Sequence, residues 1–183
     1  EFTKRELLEQ FGVPADKRFL ETVRRVTAEE GIVLIFDEIV TGFRLGLGGA
    51  AALFGVFPDL AAIGKAFAGG IPVGAFGGRR DIMEKVVTPT GDASDARTKI
   101  FHSGTFTANP VAMAAGLAAL DQLEKGNVYA HLNDLGEYLR KGFTDLFARL
   151  GIAAQVTGIG SIYNFVFSEH PIRNLRDVLR SDL

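Results

Sequence analysis

Two side chains in this sequence are placed for chemistry, the carboxylate of Asp37 and the amine of Lys65. Asp37 ends the apolar run Ile32-Val33-Leu34-Ile35-Phe36, and Lys65 follows Leu60-Ala61-Ala62-Ile63-Gly64, 28 positions on. A short apolar run of this kind reads as a fully buried parallel strand with its functional residue at the carboxyl end. Ligands of open α/β sheets collect at those ends. The ordinary reading of a lone lysine is a solvated surface charge. Lys65 departs from it because Ala66-Phe67-Ala68-Gly69-Gly70 comes next. A lysine in apolar surroundings tends to shed its proton, which makes it a nucleophile toward aldehydes.

The elements that must position these two groups alternate. A helix is expected from Asp16 to Glu30, with Phe19, Leu20, Val23 and Val26 at helical spacing. Gly31 closes it in the position glycine prefers after a helix. The strand ending at Asp37 follows, then a short helix from Gly49 to Phe54, the strand at Leu60, another at Val73–Gly77 and a helix from Arg79 to Val86. This order indicates α/β architecture around a parallel sheet. Eleven of the 22 glycines fall between Gly42 and Gly78, where tight turns and close backbone approach are needed. Residues 1 to 12 are ambiguous, and Thr88 to Thr98 reads as a polar loop. Asn109 and Pro110 suit the cap and first position of a helix from Val111 to Leu123. That helix is apolar nearly all round, so it is expected to be buried. A long amphipathic helix from Val128 to Leu150, strands at Ile152–Val156 and Ser161–Phe167, and a helix opening at Asn174 complete the chain. The boundaries follow: 1–126 as part of an α/β domain, 127–150 as a connecting helix, and 151–183 as the start of a second, α+β domain.

Composition narrows the function. Apolar residues make up 47% of the 183, enough for a core, and the net charge of −2 gives no electrostatic reason to expect nucleic acid. With no cysteine, disulfides and thiolate metal sites are excluded. His102, His131 and His170 show no metal-ligand spacing, so no metal is expected. No run is long enough for a membrane helix and no signal peptide is visible, so a cytoplasmic setting is the default. The chain begins at Glu1 and stops in a charged stretch at Leu183, and both ends read as cuts.

Four apolar residues before Asp37-Glu38 also look like the Mg²⁺-binding strand of a P-loop ATPase. That class needs a glycine-rich phosphate loop ending in Gly-Lys-Ser/Thr. Gly64-Lys65-Ala66 lacks the hydroxyl and the upstream glycine, and it follows the acidic strand instead of preceding it. Pyridoxal phosphate fits better. Its chemistry needs a nucleophilic lysine and an acid that keeps the pyridine nitrogen protonated.

Longer motifs carry a resemblance. Leu34-Ile35-Phe36-Asp37-Glu38-Ile39-Val40-Thr41-Gly42-Phe43-Arg44, Pro58-Asp59-Leu60 leading to Gly64-Lys65, Gly69 to Gly78, and Gly104-Thr105-Phe106 with Asn109-Pro110 stand in order. In this the sequence resembles class III pyridoxal-phosphate aminotransferases of fold type I. Phe43-Arg44 makes it similar to the glutamate-1-semialdehyde aminomutase branch, with other class III transaminases and amino-acid racemases as alternatives. The resemblance implies an α/β, PLP-dependent transferase-like (fold type I) major domain, present in part. It implies that Lys65 binds the cofactor covalently and shuttles a proton, that Asp37 pairs with the ring nitrogen, and that Ile39 packs on the ring from the same strand face. It implies that Thr105, with the backbone at Gly104, reaches the phosphate of a neighbouring subunit in a homodimer acting on a small amino substrate. Whole family members are more than twice as long. The rest of the phosphate cup, the aromatic stacking on the ring and the substrate-carboxylate contacts are therefore expected outside this span, which by itself is expected to be inactive.

Overall fold

The computed structural model describes residues 13–87 and 99–181 of the chain. The ambiguous first residues and the polar loop over 88–98 lie outside the described residues. The chain divides into two units, Glu21–Lys125 and a second made of Gly126–Leu183 with the residues up to Leu20.

Helix α1, Lys17–Glu29, starts where Asp16 Oδ1 accepts the Arg18 N–H at 2.7 Å. It ends at Gly31, whose φ of 66° lets the Ile32 N–H turn back to the Thr27 carbonyl. Leu20 and Val23 are half-buried, while Phe19 and Val26 of the expected apolar stripe stay exposed.

In the 21–125 unit, strand β1 (Ile35–Glu38) is followed by helix α2 (Gly49–Phe54) and strand β2 (Leu60–Ile63). A single 3₁₀ turn, Lys65–Ala68, then leads to strand β3 (Ala75–Gly78). The sheet order is β1-β2-β3. β1 and β2 are parallel, with Ile35 opposite Leu60 and Asp37 opposite Ala62. β3 runs antiparallel to β2, Leu60 facing Gly78 and Ile63 facing Ala75, so the sheet is mixed and not wholly parallel. The reason is length: residues 64–74 hold only the 3₁₀ turn, and a parallel return needs a crossover of a dozen or more residues.

β1 is also shorter than its apolar run and not buried on both faces. Ile35 is 59% exposed and Asp37 is exposed, while Phe36 is half-buried and Glu38 is buried. Only β2 pairs with it among the described residues. The run begins as strand only at Ile35 because Leu34 makes other bonds. Its N–H goes to the Asp59 carboxylate, and its carbonyl accepts from both Asp59 and Leu60.

Helix α3 (Arg80–Met83) covers only the first half of the helix expected here. Val86 and Val87 instead form strand β4, parallel to strand β5, Ile100–Phe101. β-branched residues favour that extended state. Helix α4, Pro110–Lys125, begins where Asn109 Oδ1 accepts the N–H groups of Val111 and Ala112. It packs on the 3₁₀ turn, burying Ala112 and Gly116. The expected all-round burial is not met: Val111 is 68% and Leu117 70% exposed, because the described residues cover one face of the helix.

The other unit is built on helix α5, Val128–Leu150, which Gly151 terminates with a φ of 67°. Strands β6 (Ala154–Ile159) and β7 (Ile162–Phe167) pair antiparallel as a hairpin. Phe143 and Phe147 lie one helical turn apart on α5, and Tyr163, Phe165 and Phe167 alternate on β7. The two periodicities bring them together: the Phe143 and Phe165 rings are 4.8 Å apart edge to face, and Phe147 and Phe165 5.5 Å. Val166 turns to the opposite face and is buried with Val178, against Val13 and Ile172. Val178 belongs to helix α6, Leu175–Val178, which Asn174 and Asp177 open with a reciprocal capping box. At the hairpin tip, Arg140 donates to the Gly160 carbonyl, and a Cβ on Gly136 would meet that same oxygen at 2.2 Å.

Candidate active site

Because β1 and β2 are parallel and paired in register, their carboxyl ends open on the same edge of the sheet. Asp37 stands on β1 opposite Ala62, and Lys65 follows β2 three residues beyond Ala62. Asp37 Oδ1 accepts the Ile39 N–H at 3.1 Å, which fixes the carboxylate while its side chain stays on the exposed face. Ile39 lies one residue past the end of β1, in a turn, so it does not share a strand face with Asp37 as expected. Its Cγ2 lies 3.7 Å from where a Cβ on Gly64 would stand, so it borders the approach to Lys65.

Lys65 has a φ of 47°, a left-handed conformation uncommon outside glycine. Gly64 before it is extended and buried, and the Phe67 N–H closes the turn on the Gly64 carbonyl at 3.1 Å. The side chain of Lys65 is exposed, so the apolar enclosure expected from its neighbours is not supplied by the described residues. Ala68 is buried and Phe67 half-buried. Gly104 and Thr105 are exposed, at the start of a turn in which the Gly104 carbonyl accepts the Thr107 N–H.

Two carboxylates that carried no role in the sequence organise this region. Glu38 is 3% exposed and takes three donors: the Thr41 hydroxyl at 2.5 Å, the Ala50 N–H at 2.8 Å and the Ala51 N–H at 2.7 Å. It thereby caps α2 and ties down the turn after β1. Gly49 leaves room for it, since a Cβ there would lie 2.4 Å from Glu38 Oε2. Asp59 is 4% exposed and accepts the Leu34 N–H, Arg24 Nη1 at 2.9 Å and Arg79 Nη1 at 3.0 Å. The Leu34 N–H, then the Arg79 and Arg24 guanidinium groups, hold its carboxyl down at a pKa of about 2. Asp59 therefore joins α1, the approach to β1, the start of β2 and the end of β3. The Pro58-Asp59 pair before a strand was the sequence signal, but nothing in it indicates two arginine partners.

The donor set suits a cofactor that presents an aldehyde and a basic ring nitrogen: an amine and a carboxylate near adjacent strand ends, both exposed. Among the described residues no group of side chains could hold a metal ion, and no helix is long and apolar enough to cross a membrane.

Comparison with known proteins places the fold in a family. Residues 11–181 match the family described as Aminotransferase class-III, and the chain belongs to that family. It is 46% identical over 164 residues to glutamate-1-semialdehyde 2,1-aminomutase from Methanothrix thermoacetophila, covering 90% of this chain and 36% of that protein. The solved ω-transaminase from Sphaerobacter thermophilus superposes with a TM-score of 0.80 at 39% identity, over 90% of this chain and 36% of that one. A transaminase solved with PLP bound gives a TM-score of 0.76 at 34% identity, over 86% of this chain and 36% of that one. The chain thus spans little more than a third of the length of the relatives it matches. The fold is the expected partial PLP-dependent transferase-like domain of type I, and the P-loop ATPase reading is set aside.

Proposed function

We propose that this span carries the cofactor lysine of a PLP-dependent enzyme that moves an amino group. The observation that carries the reading is the register of β1 with β2, which delivers Asp37 and Lys65 to one edge of the sheet. When bound, pyridoxal phosphate supplies an electron sink for a carbanion at the substrate carbon. Asp37 would hold a proton on the ring nitrogen by its opposite charge. Lys65 would anchor the cofactor and carry a proton on Nζ, and Ile39 would pack against the ring. The major domain would run over 1–126, the connecting helix over 127–150 and the start of the small domain over 151–183.

The test is to reduce the full-length holoenzyme with borohydride and map the modified peptide. The label is expected on Lys65; labelling of Lys85 or Lys99 instead would overturn the assignment.

Phe43-Arg44 and the aminomutase relatives favour glutamate-1-semialdehyde 2,1-aminomutase over a general transaminase or a racemase. Comparing products from glutamate-1-semialdehyde with those from simple amino donors separates these activities. The same reading includes a small-molecule amino substrate, a cytoplasmic setting and a homodimer in which Gly104 and Thr105 serve the phosphate of the other subunit. Co-expressed Lys65→Ala and Thr105→Ala chains should then regain activity, because a mixed dimer holds one site with both defects and one with neither. Proven mixed dimers without recovery would rule out sharing.

A further inference from the structure

The backbone at Lys65 is held in a conformation that an L residue rarely adopts, and such strain persists only where the surroundings over-determine it. Two aromatic rings pack beside this turn. Phe67, two residues on in the same 3₁₀ turn, stacks on Phe43 with ring centroids 5.6 Å apart and planes at 24°. It also lies against α4. A Cβ on Gly116 would stand 3.7 Å from Phe67 Cζ, so the absence of a side chain there lets the ring lie close to the helix. Phe43 is itself left-handed, with φ 57°, in the turn where the Arg44 and Leu45 N–H groups both bond the Thr41 carbonyl. Thr41 is in turn fixed by the buried Glu38. A line of contacts therefore runs from Glu38 through Phe43 and Phe67 to α4, and Lys65 sits within the segment it grips.

We propose that Phe43 and Phe67 form a clamp that positions Lys65, holding its turn in the left-handed conformation that presents the amine at the sheet edge. This rests on the reading of Lys65 as the cofactor lysine. Neither ring is assigned contact with the substrate; both act through the backbone of the turn. A stacked aromatic pair is suited to the task because aromatic rings prefer particular offset arrangements over others.

The test uses full-length protein carrying Phe67→Ala, Phe43→Ala or Phe43→Tyr. In the apoprotein, competitive labelling with an amine reagent is read by peptide mapping, with Lys85 and Lys99 as internal references. Loss of either ring is expected to change the relative reactivity of Lys65 at least about threefold and to lower kcat roughly 10- to 100-fold, as misplacement of a reacting group by about 1 Å does. KM for the amino donor is expected to stay within about twofold, since the substrate's own contacts are untouched. Phe43→Tyr keeps the stacking face and is expected to behave as wild type on both readouts. Should one alanine variant not fold, the other decides. Folded alanine variants with unchanged Lys65 labelling and kcat would overturn the clamp, and so would a folded Phe43→Tyr as impaired as Phe43→Ala. The apoprotein labelling needs no cofactor, so the clamp and the cofactor assignment can fail separately, the latter by borohydride mapping.

Discussion

Replacing Glu38 by alanine tests whether the turn after β1 depends on this one side chain. The substitution strips the acceptor from two backbone N–H groups, those of Ala50 and Ala51, and from the Thr41 hydroxyl. A buried donor left without a partner costs about 1–3 kcal/mol. Ala51 is buried and takes the full penalty, while Ala50 and Thr41 are half-buried, so water recovers part of theirs. With the two half-buried donors counted at about half, the expected loss of local stability is roughly 2–6 kcal/mol. Glu38→Gln keeps one carbonyl acceptor but turns an amide N–H₂ toward a donor, so it should fall between wild type and alanine. The assay is hydrogen–deuterium exchange of the peptide over 48–55 in the full-length protein. A loss at the low end of that range speeds exchange by more than about tenfold. Folded Glu38→Ala protein whose 48–55 peptide exchanges within about threefold of wild type would refute the reasoning.

Two further outcomes follow from other parts of the chain. The pKa of Asp59 is held at about 2, against an ordinary 3.8, so folding binds fewer protons than the unfolded chain does between those values. Its contribution is fully present above about pH 4 and is lost as pH falls toward 2; Asp59→Asn should flatten the acid limb of a stability–pH curve over that window, and an unchanged limb would count against it. Gly136→Ala places a Cβ 2.2 Å from the Gly160 carbonyl, so the β6–β7 hairpin must shift off α5. A loss of about 1–3 kcal/mol is expected by urea unfolding despite the better helix propensity of alanine, and a gain in stability would contradict the close approach.

Local signals in this sequence were dependable where one residue sufficed. Helix α2, strand β2 and helix α5 lie where glycine, proline and apolar spacing put them, and Asn109 caps α4 as its side chain predicts. The placing of Asp37 and Lys65 near the carboxyl ends of β1 and β2 was legible because each closes an apolar run. What was not legible depends on pairing partners. The direction of β3 is set by the length of its connection and not by its own residues. The one-sided exposure of β1 and α4 reflects which neighbours cover them. Glu38 and Asp59 read as ordinary acids, because nothing in a carboxylate's sequence position announces the backbone N–H groups or arginines folded onto it. Val86 was read as the end of a helix, although its backbone pairs with Ile100 of β5 across a long separation.

Asp37 and Glu38 are neighbours in sequence, yet strand alternation sends them to opposite sides of the sheet, one exposed and one buried. The consequence is a parity constraint. Any insertion or deletion of a single residue within β1 exchanges the two acids between faces, placing the wrong-length carboxylate in each setting at once. Exchanging them by substitution does the same without moving the backbone: aspartate at 38 falls one methylene short of the α2 N–H groups, and glutamate at 37 lengthens the side chain that bonds the Ile39 N–H. Two adjacent residues of like charge thus stand in unlike settings, Glu38 bound into the fold and Asp37 open on the exposed face.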